Sequence, residues 1–275
     1  MSAWRWSLAH LSLIDATPPQ LVAAAGAAGF RRVGLRLHPA RPGEAPHPMH
    51  EGSPMLAETR ARMAGLGVAV HDVEVIRLNP GFDAARLEPL LAVAASLGAR
   101  YLVVNGDDDD AARSAAHLAA LAERAAPYGL ALGLEFMVYT AVPTLAAACA
   151  LVRRAAQPNV RVLLDALHAA RSGAQPAALA DCAELARDFA QLNDAPAARH
   201  PAMSPGEEGR AHRLLPGEGA LPLAPMAEVL APDAVLSVEA PSALRRHHLG
   251  LDARAALAWQ AAQRWEHLYR NRDEH

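Results

Sequence analysis

Residues 118–136 read LAALAERAAPYGLALGLEF: an Ala/Leu-rich helix, a glycine just past its end, and a short apolar run that closes on a carboxylate, Glu135. Gly129 stands where helices commonly stop, because a residue without Cβ takes positive φ at little steric cost. Leu130–Phe136 is too continuously apolar for a strand with one solvated face, which is the signature of a parallel strand covered on both sides. The same phrase recurs at LVAAAGAAGF–RRVGLRL (21–37), TRARMAGLG–VAVHDVEVI (59–76) and LEPLLAVAASLG–ARYLVVN (87–105). Thr17-Pro18 marks a helix start, with a hydroxyl cap before a proline in the first turn. Extended along the chain, the pattern predicts strands at about 6–11, 32–37, 68–76, 100–105, 130–136, 160–165, 187–193 and 234–239. Eight βα alternations favour closure into a single (β/α)₈ TIM barrel over residues 1–275. No GxGxxG turn follows the first strand, which weakens an open doubly wound sheet.

Four of these strands carry an oxygen donor at or near the carboxyl tip: LALGLEF with Glu135, VRVLLDALH with Asp165, DFAQLND with Gln191 and VLSVEAP with Glu239. An apolar run rarely finishes on a carboxylate without need, since burying an unpaired charge is costly. Active sites of barrels are built at this end of the strands. Three carboxylates and an amide carbonyl form a hard oxygen cage suited to Mn²⁺, Mg²⁺ or Co²⁺, with Zn²⁺ also within reach. Glu135 and Glu239 lie on strands five and eight, on opposite sides of a closed mouth. Between them a metal could polarise a hydroxy-ketone, one carboxylate removing a proton and the other returning it. Asp165 and His168 form D-x-x-H, which holds the imidazole one turn beyond the strand and facing the same pocket. His168 is therefore a candidate for substrate contact or proton transfer beside Glu135 and Glu239.

His10, Arg36, Glu74 and Asn105, near the ends of strands one to four, are further candidates for substrate binding. Two long connections lie on the same face, residues 38–53 and 195–218. The second carries Arg210, Arg213 and the turn PGEG at 216–219, and reads as a substrate-covering lid. If that lid closes, the planar fork of Arg210 suits a carboxylate or paired hydroxyls; the competing reading is a surface salt bridge to Glu207 or Glu208. His38, His47 and His50 sit among prolines and read as solvated loop. Asp107–Asp110 precede a helix and read as its cap.

Composition bounds the rest. With 52% hydrophobic residues among 275, the chain can bury a sizeable core, and a net charge of −3 argues against a nucleic-acid-binding surface. No run of 18 apolar residues suggests a membrane span, and MSAWRWSLAHLSL lacks the layout of a signal peptide, so a cytoplasmic location is expected. Cys149 and Cys182 lie in Ala-rich helical contexts and are expected to be buried free thiols. The chain has no lysine; its 26 basic residues are all arginine. That excludes Schiff-base aldolase chemistry and a P-loop.

The pieces LEF (134–136), LLDALH (163–168), QLNDAP (191–196), R-x-x-RLLPGEG (210–219) and SVEAPS (237–242) resemble, in order and spacing, the xylose isomerase-like barrel superfamily of sugar phosphate isomerases and epimerases. The resemblance implies a (β/α)₈ barrel and a divalent metal whose ligand positions fall on Glu135, Asp165, Gln191 and Glu239. It also makes a homodimer plausible. It implies an isomerase or epimerase acting on a small polyhydroxy ketone through metal-stabilised enolisation. Ketose 3-epimerases of the family carry His where this chain has Gln191. The glutamine, with D-x-x-H and R-x-x-R before PGEG, looks more like bacterial 3-dehydroshikimate dehydratases, which are lyases. The dioxygenase-like second domain of some of those enzymes is not among these 275 residues. Xylose isomerases proper use a lysine this chain lacks, and the superfamily's DNA-repair endonucleases need extra histidines it does not offer. A metal-free barrel that binds a small polyol without catalysis is the reading outside enzymology.

Overall fold

Eight parallel strands close on themselves in sequence order: β1 (Arg5–Leu8), β2 (Arg32–Arg36), β3 (Ala69–Leu78), β4 (Tyr101–Gly106), β5 (Ala131–Glu135), β6 (Val160–Asp165), β7 (Phe189–Leu192) and β8 (Val235–Val238). In this computed structural model, which describes residues 4–39, 43 and 45–272, β8 pairs with β1 through the register Ser7↔Ser237 and seals the ring. Helices fill the connections, giving the expected (β/α)₈ barrel. The expected helix starts and stops are present. Gln20 accepts a hydrogen bond from the Thr17 backbone, and Gly29 (φ 116°) and Gly129 (φ 70°) terminate their helices in the left-handed region. Gly29 also lies against Trp259, where a Cβ would run into the indole. Asp110 caps helix Ala111–Ala125, and Asp108 is paired with Arg113, so the acidic run serves local structure as expected.

Boundaries differ by more than one residue at three places. β1 stops at Leu8 because His10–Leu13 turn into a 3-10 helix, whereas β3 runs on to Leu78. β7 is shorter than expected at both ends. The long connection after β7 is ordered: Ser204 caps a helix at Pro205–Ala211, and Asp194 bridges to Leu214. Part of the connection after β2, residues 40–42 and 44, lies outside the described residues.

The principal core lies between the barrel and its helices. A smaller apolar cluster of Val75, Val103, Leu163, Phe189 and Val235, with Tyr101 against it, lies inside the barrel. Side chains alternate across a strand, so Leu163, Phe189 and Val235 point the same way as Asp165, Gln191 and Glu239. That cluster therefore floors the space beneath the polar strand tips. Gly34 is required on the neighbouring β2, where a Cβ would meet the Asp72 carboxylate.

One expectation is overturned. Cys149 and Cys182 are joined by a disulfide, because helix Leu145–Ala155 packs beside the segment after Pro176–Asp181 and brings the two Cα atoms to 6.7 Å. Among the described residues, no helix is long and apolar enough to cross a membrane.

Candidate active site

The strand tips converge. One carboxylate oxygen from each of Glu135, Asp165 and Glu239 lies within 4.8 Å of the others, and all three side chains are buried. The D-x-x-H spacing works locally as a helix cap: Asp165 Oδ1 accepts the His168 backbone N–H at 3.0 Å. Asp165 Oδ2 accepts from Asn193 Nδ2 and from an Arg213 terminal nitrogen, both at 2.7 Å. The same Arg213 nitrogen reaches Glu239 Oε2 at 2.9 Å, while its Nε donates to the Gly209 carbonyl at 2.7 Å. Asn105 donates to Glu135 Oε2 at 2.8 Å. Gln191 Nε2 donates to Glu239 Oε1 at 2.9 Å, which leaves its own Oε1 buried without a partner.

Charge balance tests whether a cation fits. Three carboxylates against one guanidinium leave −2 when all are ionised, the complement of one divalent ion, and the orphaned Gln191 oxygen supplies a fourth donor of the right hardness. The acids register that deficit of positive charge. Burial, then repulsion from Asp165, pushes Glu135 up to about 7 against the pull of Arg213 and Asn105. Burial likewise holds Glu239 well above the usual carboxylate range, Arg213 opposing and Glu135 adding to the rise. His168 falls to about 4 through burial and is a neutral imidazole at neutral pH.

A stability test follows from Glu135. In the folded, metal-stripped protein its carboxyl keeps a proton to about pH 7, whereas the unfolded chain loses it near 4.5. Its contribution is thus complete below pH 4.5 and disappears as pH rises through 7. Urea denaturation of chelator-treated protein should lose on the order of 3 kcal/mol across that window. Adding Mn²⁺ should abolish the loss; a flat pH profile without metal would contradict this charge assignment.

Above the acids opens a cleft lined by Arg36, Glu74, Asn105, Glu135, Arg210 and Glu239 among the foreseen residues, by Arg213 of the foreseen lid, and by Leu11, Arg77, Met137 and Tyr139. Glu74 is held in place by the His10 backbone at 3.0 Å and by Arg36 at 3.2 Å. His10 is not among the residues that line the cleft. Its Nε2 meets the Ala16 carbonyl at 2.9 Å and its Nδ1 accepts the Arg36 backbone N–H at 2.8 Å, so both ring nitrogens are committed to backbone. Its ring stacks on His47 at 5.7 Å, which draws that residue of the 38–53 connection partly out of solvent. Neither rival pairs with Arg210: Glu208 is held by Arg171 at 2.7 Å, and Glu207 lies 3.8 Å from His212. Arg210 instead lies 5.8 Å from the centre of the Tyr139 ring, and that ring meets His168 edge-on at 5.6 Å.

Residues 21–265 match the family described as the xylose isomerase-like TIM barrel. The chain belongs to that family. Over 235 residues it is 33% identical to the 3-dehydroshikimate dehydratase of Pseudomonas aeruginosa, covering 79% of this chain and 34% of that protein. The chain thus spans about a third of the relative's length. Its structure superposes on a xylose isomerase-like TIM barrel/4-hydroxyphenylpyruvate dioxygenase fusion protein with a TM-score of 0.80 and 26% identity, over 99% of this chain and 44% of that one. It also superposes on the IolI protein with a bound zinc atom, with a TM-score of 0.73 over 98% of both chains; at 15% identity that likeness is one of fold.

Proposed function

We propose that this chain is a divalent-metal-dependent dehydratase acting on a small cyclic keto-alcohol that bears a carboxylate, with 3-dehydroshikimate as the leading substrate. The observation that carries the choice is the Arg210 guanidinium, which faces the cleft without a carboxylate partner among the described residues. Arg36 and Arg77 also line the walls, each already paired with a carboxylate, Glu74 and Asp107. A neutral ketose has no use for a spare cation in the roof, whereas a carboxylate is recognised by it bidentately. The identity to the dehydratase relative and the glutamine at position 191 support the same side.

Glu135, Asp165, Gln191 and Glu239 are the residues that would hold the ion, which when bound supplies Lewis-acid polarisation of the substrate carbonyl. The remaining work falls to side chains. The C–H bond next to the carbonyl breaks with its proton going to a base on this chain. His168 is suited to that role, being neutral and 3.8 Å from Glu135. The β-hydroxyl then leaves and takes a proton from the same pair, so one water is formed for each ketone consumed. Tyr139 covers His168 and keeps bulk solvent from the proton in transit. With no lysine in the sequence, an imine route to the same elimination is closed.

An isomerase or epimerase is the second reading, supported by Glu135 and Glu239 flanking the same space. There the proton returns to carbon and no water is lost. Incubation with Mn²⁺ and 3-dehydroshikimate should produce the ultraviolet absorption of a catechol. Solvent deuterium entering ketoses, with no catechol formed from 3-dehydroshikimate, would reverse the order of the two readings.

A further inference from the structure

The second oxygen of every acid at the centre is already held. Asn105 takes Glu135 Oε2, Arg213 and Asn193 take Asp165 Oδ2, and Arg213 takes Glu239 Oε2, at 2.7–2.9 Å. Arg213 spans two acids with a single nitrogen, is buried to 2% exposure, and is pinned through Nε to the Gly209 carbonyl. The other oxygens carry only neutral donors or none: Asp165 Oδ1 takes the His168 backbone N–H at 3.0 Å, Glu239 Oε1 takes Gln191 Nε2 at 2.9 Å, and Gln191 Oε1 is partnerless.

We propose that Arg213, with Asn105 and Asn193, locks the three carboxylates into single-oxygen ligation and thereby makes the centre reject Ca²⁺ in favour of smaller divalent cations. The inference rests on the metal centre proposed above. Ca²⁺ takes six to eight oxygens and commonly recruits both oxygens of a carboxylate, whereas Mg²⁺ and first-row ions are smaller and satisfied by fewer protein donors. Four single oxygens fall short of what Ca²⁺ needs. A second oxygen from Asp165 or Glu239 can be freed only by breaking charge-assisted hydrogen bonds to a buried guanidinium. Groups that hydrogen-bond to metal ligands in this way tune metal affinity by roughly 10- to 100-fold.

The test is calorimetric titration of chelator-treated protein with MnCl₂, CoCl₂ and CaCl₂. The wild-type chain is expected to bind Mn²⁺ at least about 100-fold more tightly than Ca²⁺. Arg213→Met should narrow that ratio by about 10-fold or more. Losing a positive charge strengthens every divalent ion alike, so the ratio isolates geometry from charge. Arg213→Lys should narrow it as well, because an ammonium cannot reproduce the fork anchored on Gly209. Full discrimination in the lysine variant would mean that charge alone suffices and would overturn the proposal. If the methionine variant does not fold, Asn105→Leu frees only Glu135 Oε2 and must narrow the ratio by itself. An unchanged ratio in any folded variant overturns the inference, as does a wild-type protein that binds Mn²⁺ and Ca²⁺ alike. A wild-type protein that binds neither Mn²⁺ nor Co²⁺ would instead refute the metal centre.

Discussion

Replacing Glu239 with glutamine is expected to abolish turnover while leaving the barrel folded. The substitution is isosteric: the amide oxygen still accepts from Arg213, and a flip of the Gln191 amide turns its partnerless oxygen to the new NH₂, both neighbours now standing at 2.9 Å from the carboxylate. What disappears is one of three negative charges gathered within 4.8 Å. The site then carries −1 instead of −2 and holds a divalent ion far less well. The same change removes a candidate proton carrier from the wall of the cleft. Together these should lower kcat/KM by at least about 10³-fold, on the order of 4 kcal/mol of transition-state stabilisation. Stability should not follow activity downward. Burial, with neighbouring carboxylates adding to it, holds the Glu239 carboxyl above the usual range, so a neutral amide replaces a group that already disfavours its charge in the metal-free protein. A thermal melt without metal should therefore be unchanged or higher. Turnover within a few-fold of wild type would remove the mechanism.

Which parts of this arrangement could be read from the chain depends on whether the cause was local. The eight strands were legible because each helix–glycine–apolar phrase is self-contained, and Gly29 and Gly129 take the positive φ their positions suggest. The four metal candidates were legible because a polar side chain closing a buried strand is costly unless a partner awaits it there. β1 was overextended because His10-Leu11-Ser12-Leu13 is apolar enough for a strand; only the distant Ala16 carbonyl and Arg36 amide, clasped by the His10 ring, show why the chain turns there. Arg213 was the larger gap. On a continuing helix, R-x-x-R places both arginines on one face. The helix instead ends at Ala211, and His212, at φ −134°, breaks the periodicity. Both arginines line the cleft, but Arg210 lies beside Tyr139 while Arg213 is buried among the acids. The Cys149–Cys182 pairing, 33 residues apart on different helical segments, depends wholly on packing and had no local signal.

Asp194 is where the largest structural effect is expected, and it lies outside the cleft. Two residues past β7, its carboxylate accepts four backbone N–H groups: Ala195 at 2.8 Å and Leu221 at 3.0 Å on Oδ1, Gly217 at 3.1 Å and Gly219 at 2.9 Å on Oδ2. Its own backbone pairs with Leu214 in both directions, at 2.9 and 2.8 Å. This clamp closes the PGEG turn onto β7, and Arg213 is the residue just before the clamped segment. Asp194→Ala leaves four backbone donors without their acceptor, three of them in a turn with no regular ladder to fall back on. At roughly 1 kcal/mol or more for each, the loss should reach about 3–5 kcal/mol in urea denaturation. Turnover should fall with it, because the segment that aims Arg213 at Asp165 and Glu239 is released. Asp194→Asn separates charge and geometry from shape. Its amide would present an NH₂ group to two N–H donors, so the near-isosteric variant should be almost as damaged as alanine. An asparagine variant with wild-type stability would show that one oxygen is enough to hold the turn. A clamp that weak could not be what fixes Arg213 against the acids.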